Sequence, residues 1–205
     1  MRKGFLICVE GIDASGKTTQ ARLLARRLEE EGLDVVLSAE PTSGPVGQII
    51  KQVIRGGRRS PVLEAVLFSL DRYWHVHQTV GPALEEGRVV VLDRYYYSTL
   101  AYQGALGLDI GWLRKINSFA PEPDLAVYLD IDPEEALRRI GRPRTVLEEL
   151  DNLRAVRAIY LDLVAAGELV LVDARRPPSE VAQEVWSLAR SRLGEHGLLY
   201  RGDSG

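Results

Sequence analysis

Short apolar runs alternate along the chain with longer stretches in which apolar residues recur every three or four positions. That alternation predicts strands separated by helices. The first run, Phe5-Leu6-Ile7-Cys8-Val9, suits a buried strand. After it Leu23, Leu24 and Leu28 fall at helical spacing, with Ala21 and Ala25 alongside. Asp34–Ser38 reads as a second strand, and Pro41-Thr-Ser-Gly-Pro45 breaks the pattern before a helix over Val46–Arg55. A turn at Gly56-Gly57 leads to a long helix opening at Ser60-Pro61, with proline suited to the first helical position. The pattern carries that helix to Glu86, where Gly87 stops it, and Pro82 allows a kink. Val89–Leu92, ending in Asp93, reads as a central strand. Helical spacing returns from Ser98 and again over Ile110–Phe119. Leu125–Ile131 and Leu169–Val172 are the fourth and fifth strands. Between them lie a helix over Glu134–Ile140, an Arg/Pro-rich loop and a helix reaching Ala165. The last helix spans Ser179 to Leu193.

Strands that alternate with helices imply a parallel sheet covered on both faces. Active groups then gather at the carboxyl ends of the strands, here Gly11–Thr18, Glu40, Asp93-Arg94 and Asp130. One domain over residues 1–193 is expected, with a mobile tail over 194–205. A net charge of −3 argues against a dedicated nucleic-acid binder. The single cysteine, Cys8, excludes an internal disulfide. No apolar stretch approaches the roughly 20 residues that span a bilayer. The N-terminus runs directly into a strand, so a cytoplasmic protein without membrane partners is expected. His75 and His77 lie two apart on different helical faces and His196 falls in the tail, a poor set for zinc.

The strongest local signal is Gly11-Ile-Asp-Ala-Ser-Gly-Lys-Thr18, which fits Gly-x-x-x-x-Gly-Lys-Ser/Thr. Glycines let successive backbone N–H groups turn towards an anion. Lys17 brings a positive charge to the β- and γ-phosphates of a nucleotide, and the Thr18 hydroxyl can ligate Mg²⁺. A strand before and a helix after supply the required context, and the helix N-terminus adds its dipole. The fold class is therefore α/β, a three-layer P-loop NTPase fold with a five-stranded parallel sheet. Asp93 ends an apolar strand, which suits either a water-mediated Mg²⁺ ligand or a turn cap. Arg94 suits either a surface ion pair or a bidentate grip on a second phosphate. Arg138-Arg139-Ile-Gly-Arg142-Pro-Arg144 reads either as a solvated face or as a short lid, over about 138–148, closing on the γ-phosphate. No Asn-Lys-x-Asp occurs, which disfavours a GTPase.

Several stretches together resemble the thymidylate kinase family: Glu10-Gly-Ile-Asp-Ala-Ser-Gly-Lys-Thr-Thr-Gln20, Glu40-Pro41-Thr42, Leu67-Phe-Ser-Leu-Asp-Arg72, and Asp93-Arg94-Tyr95 with Ser98 and Ala101-Tyr-Gln103. The resemblance covers about Phe5 to Ala189. It implies transfer of the γ-phosphoryl group of MgATP to dTMP. It also implies that Gly11, Asp13, Ala14, Ser15, Gly16, Lys17, Thr18 and Thr19 surround ATP. Asp13 then approaches the acceptor's 3′-hydroxyl or the metal–phosphate region. Phe68 stacks on thymine, although an amphipathic helix alone would make it a core residue. Arg72 and Gln103 read the base, Tyr102 crowds the 2′ position, and Arg94 binds the acceptor phosphate near Ser98. Glu40 and Pro41 position the acceptor.

The chain departs from the family pattern at Ser38-Ala39, where many relatives carry an arginine before Glu-Pro, and at Ala14, where some carry a catalytic arginine. The second departure implies that the lid supplies the arginine, from Arg139, Arg142 or Arg144. Glu148 is either a further metal ligand or a solvated helix-start residue. The resemblance also implies a homodimer, which accords with apolar residues around much of the long helix: Ala65, Val66, Leu67, Leu70, Tyr73, Trp74 and Val76. Another nucleotide kinase of this fold, or an ATP-dependent switch, is the alternative.

Overall fold

The computed structural model describes residues 4–55, 60–140 and 147–199, with 147–149 as backbone only. Five strands form one parallel sheet: β1 (Phe5–Glu10), β2 (Val35–Ala39), β3 (Val89–Asp93), β4 (Leu125–Asp130) and β5 (Val170–Asp173). Their order is β2-β3-β1-β4-β5. Residues of β1, β3 and β4 are buried almost throughout, which is why they read as unbroken apolar runs. The helices are α1 (Lys17–Glu30), α2 (Pro45–Arg55), α3 (Pro61–His75), α4 (Gly81–Glu85), α5 (Tyr96–Ala105), α6 (Ile110–Ile116), α7 (Pro133–Ile140), α8 (Leu147–Ala165) and α9 (Pro178–His196). Helices α1 and α9 pack on each other, as do α5 and α8.

Register places the site. Val9 of β1 and Ala39 of β2 both lie beside Asp93 of β3, so three strands end abreast. Glu40, the phosphate loop and Arg94 therefore leave the same edge of the sheet.

Four helices depart from the sequence reading by two residues or more, each for an identifiable reason. The expected single helix over 61–86 is interrupted by a π turn over Val76–Val80, closed by Gly81 N–H on the Val76 carbonyl. Pro82 has no N–H to donate back to Gln78, and the wider turn just before it absorbs the mismatch. Helix α5 starts at Tyr96 rather than Ser98, because Glu10, from a different strand, accepts N–H groups at its first turn. Helix α6 stops at Ile116 instead of Phe119, where the Asn117 side chain donates to the Leu113 carbonyl and accepts from Arg72. Finally, α9 passes Gly194 and ends at Gly197, whose φ of 79° suits a left-handed cap. His196 thus lies in the last helical turn rather than in the tail, with its ring edge-on to Phe5 at 5.3 Å. Residues 200–205 of the expected tail lie outside the described residues.

Candidate active site

The phosphate loop runs from the end of β1 into α1. Gly16 precedes the helix at φ 96°, and Ala14 also has positive φ, 61°. A side chain at Gly11 would press on the Leu129 carbonyl at 2.8 Å, so that position needs glycine. The buried Lys17 ammonium donates to the Ile12 carbonyl at 2.6 Å. Burial first, and then the nearby Arg94 charge, pushes Lys17 down to about 7. An arriving phosphate would reverse that pressure by pairing with the ammonium.

Thr18 donates its hydroxyl to Asp93 Oδ2. The other carboxylate oxygen, Oδ1, is buried without a hydrogen-bond partner among the described residues. A hydroxyl and a carboxylate with a spare oxygen are hard ligands that fit a magnesium ion.

Beside the loop lies a cavity of about 210 Å³ that gathers every residue expected to meet the acceptor: Asp13, Glu40, Pro41, Phe68, Arg72, Arg94, Ser98, Tyr102 and Gln103. Phe68 therefore faces the cavity instead of sitting in the core. Arg94 has φ 71°, an uncommon conformation for a side-chain-bearing residue. Its N–H donates to the Val9 carbonyl at 3.0 Å. Its guanidinium pairs with Asp13, donates to Ser98 Oγ at 3.1 Å, and lies 5.2 Å from the Tyr102 ring centre. Burial works against this charge, but the surrounding groups, with the Asp13 carboxylate paired to it, outweigh burial and hold Arg94 firmly protonated.

Glu10 is the residue whose importance the sequence reading missed. It is fully buried, and its carboxylate accepts from Tyr95 N–H at 2.7 Å, Ser98 Oγ at 2.6 Å and Tyr160 Oη at 2.9 Å. Burial raises its pKa above the ordinary glutamate value, although these donors oppose the shift. A carboxylate at the amino end of α5 also meets the positive end of the helix dipole. It thereby locks Ser98 beneath Arg94.

Three further cavity-side partners were not anticipated. Glu64, one turn before Phe68, accepts from Gln103 Nε2 at 3.4 Å, while its Oε1 has no partner among the described residues. Thr99 and Asn117 accept from Arg72, which also bonds Glu40 and lies 5.6 Å from the Tyr95 ring centre. Heptad-like spacing on the 61–75 helix could have exposed Glu64; nothing local marks Asn117.

On the far side of the loop a groove of about 520 Å³ is lined by Ser15, Gly16, Thr19, Gln20, Arg139 and the segment Ala174–Pro178. Gln20 Nε2 donates to the Pro178 carbonyl at 2.9 Å, tying α1 to this segment. Arg139 spans the groove, donating to the carbonyls of Ala14 at 3.4 Å and Ala174 at 3.1 Å, with Glu135 on its Nε at 3.0 Å. Arg142 and Arg144 lie outside the described residues, as does the Glu148 side chain. Asp130 stays away from the cavity and is held by Arg157 through two bonds of 2.8 Å.

A family model described as thymidylate kinase matches residues 9–185. The chain is 45% identical over 202 residues to a probable thymidylate kinase of Pyrococcus horikoshii, covering 93% of this chain and 98% of that protein. It is 43% identical over 195 residues to a thymidylate kinase of Xanthomonas oryzae pv. oryzae, covering 94% and 86% respectively. Matches of this length take in the phosphate loop and every residue that lines the cavity, and the chain belongs to the thymidylate kinase family.

Proposed function

We propose that this chain transfers the γ-phosphoryl group of ATP to the 5′-phosphate of dTMP, giving dTDP. One observation carries the reading: the phosphate loop and a cavity lined by Phe68, Arg72, Gln103 and Arg94 meet at the Arg94–Asp13 ion pair.

Lys17, the loop N–H groups from Ser15 to Thr19 and Arg139 hold the ATP phosphates, and the groove beyond takes the rest of that nucleotide. Thr18 and Asp93 hold Mg²⁺, which when bound offsets charge on the ATP phosphates. Arg94 binds the acceptor phosphate, with Ser98 below it. Asp13 sits where it can meet the acceptor sugar or the metal–phosphate region. Phe68 stacks on thymine, and Arg72 and Gln103 bond its edge. Tyr102 closes the space at the 2′ position, while Glu40 and Pro41 complete the wall.

An acceptor phosphate is already ionised and needs no strong general base. The chain's residues therefore act by alignment and by cancelling charge between two anions. Of the three lid arginines, Arg139 is our choice for the donor side, because it already bonds the loop carbonyl of Ala14.

No helix among the described residues is long and apolar enough to cross a membrane. Both substrates are small anionic solutes of the cytoplasm, and we place the enzyme there. A homodimer fits the outward face of α3, where Val66, Leu70, Tyr73 and Trp74 are each roughly half exposed.

Formation of dTDP from dTMP and MgATP, followed by chromatography, tests the reading. ATP consumption without dTDP would move the chain to a nucleotide-dependent switch.

A further inference from the structure

Behind the cavity wall formed by Glu40 and Arg72, Ser38 and His75 extend one chain of contacts away from the cavity. His75 Nε2 lies 2.8 Å from Ser38 Oγ, and its Nδ1 lies 3.1 Å from Glu40 Oε1. The other carboxylate oxygen takes Arg72 Nε at 2.9 Å and Nη2 at 2.7 Å. Glu40, Arg72 and His75 are 5%, 1% and 3% exposed, so water offers little replacement for a lost partner. A serine, histidine and glutamate in this order have the connectivity of a hydrolytic triad. Here the carboxylate already neutralises Arg72, leaving little of its charge to stabilise an imidazolium. The chain of contacts leads to the cavity instead.

We infer that His75 is a positioning residue for acceptor recognition: it holds the Glu40 carboxylate, which fixes the Arg72 guanidinium in the cavity wall. The Glu40 carboxylate can only accept, so Nδ1–H donates to it, and the Ser38 hydroxyl, which can turn either way, anchors the ring through Nε2. Arg72 bonds Glu40 through Nε and Nη2, Thr99 through Nη2 and Asn117 through Nη1. A guanidinium carries five N–H donors; hydrogen bonds to Glu40, Thr99 and Asn117 engage all three of its nitrogens, and the Nη2–Glu40 ion-pair contact tightens the hold. A fork held through all three nitrogens by buried partners keeps one orientation, which is what reading the edge of a base requires. Phe68, Arg72 and His75 recur at helical spacing on α3, so one face carries the stacking ring, the donor and the donor's support.

The inference rests on reading the cavity as the dTMP site. Its test compares His75→Ala, His75→Asn and His75→Gln in steady-state kinetics with dTMP. Asparagine keeps an N–H near the place of Nδ1, facing Glu40; glutamine reaches towards Ser38 as Nε2 does. We expect His75→Ala and His75→Gln to raise the KM for dTMP about tenfold, the scale of a lost supporting contact. In both, kcat and the KM for ATP stay within about twofold, and His75→Asn remains near wild type. Unchanged KM in His75→Ala, a fall in kcat alone, or equal behaviour of the Asn and Gln variants would overturn the positioning role. Should His75→Ala not fold, Ser38→Ala decides the question: a KM raised about threefold supports the role, and an unmoved KM overturns it. A wild-type enzyme that ignores dTMP overturns the reading of the cavity itself, and the inference with it.

Discussion

Arg94 reaches from the end of β3 to pair with Asp13 inside the phosphate loop, joining the cavity to the loop through one ion pair. The arginine is also held by the carbonyls of Val9 and Gly11, by Ser98 and by the Tyr102 ring. Such a group is set before substrate arrives and does not need to reorganise during transfer. Arg94→Ala is expected to cost about 3 kcal/mol of transition-state stabilisation, the scale of removing one oxyanion donor. Turnover with dTMP should then fall about a hundredfold while ATP affinity, measured by titration calorimetry, stays close to wild type. Unchanged turnover would remove Arg94 from the mechanism.

Glu10 gives a pH signature. Its pKa is raised above the ordinary value of 4.5, chiefly by burial. Between those two values the folded protein keeps a proton that the unfolded chain releases, so this group's contribution to stability falls as pH rises. Glu10→Gln removes that slope. The melting temperature of the variant minus that of wild type should therefore be larger at about pH 7.5 than at about pH 4. A difference independent of pH would show that Glu10 titrates in the ordinary range. The same variant loosens Ser98 under Arg94, and a loss of about tenfold in turnover should accompany it.

The Glu64–Gln103 bond fixes which way the Gln103 amide points. A carboxylate can only accept here, so Gln103 turns its nitrogen to Glu64 and leaves its carbonyl oxygen for the ligand. That oxygen suits the N3–H of thymine and opposes the N3 lone pair of cytosine. Glu64→Gln frees the amide to rotate. Preference for dTMP over dCMP, taken as a ratio of kcat/KM, should fall about tenfold. A ratio that does not move would mean that Gln103 does not discriminate by amide orientation.

The outward face of α3 predicts a dimer. Sedimentation at micromolar protein should give twice the chain mass, and Leu70→Glu or Trp74→Glu should shift it to monomer. A single monomer mass for the wild type would contradict the assignment of this face.

What could be read from the chain and what could not divide along the range of the interactions. Gly11–Thr18 declares itself because its work is done by backbone within eight neighbouring residues. Buried strands declare themselves as apolar runs, since burial on both faces leaves no room for polar alternation. Phe68 was legible only through resemblance, because an amphipathic helix makes an inward phenylalanine look like core. Glu10 and Asn117 were not legible as site supports, since their partners stand 85 and 45 positions away along the chain. The π turn was missed for a related reason: Pro82 announces a disturbance, but not the form that packing gives it. Arg139 separates itself from Arg138 by geometry alone: both pair with Glu135, but Arg139 also bonds the carbonyls of Ala14 and Ala174.

The most direct test of the whole account is acceptor-dependent ADP release from MgATP, with dTMP, dUMP, dCMP, dGMP and AMP compared against no acceptor. The account predicts strong release with dTMP, weaker release with dUMP by about 1–3 kcal/mol for the missing methyl, and little with either purine nucleotide. Release that is indifferent to the acceptor, or as fast with purines as with dTMP, would contradict it.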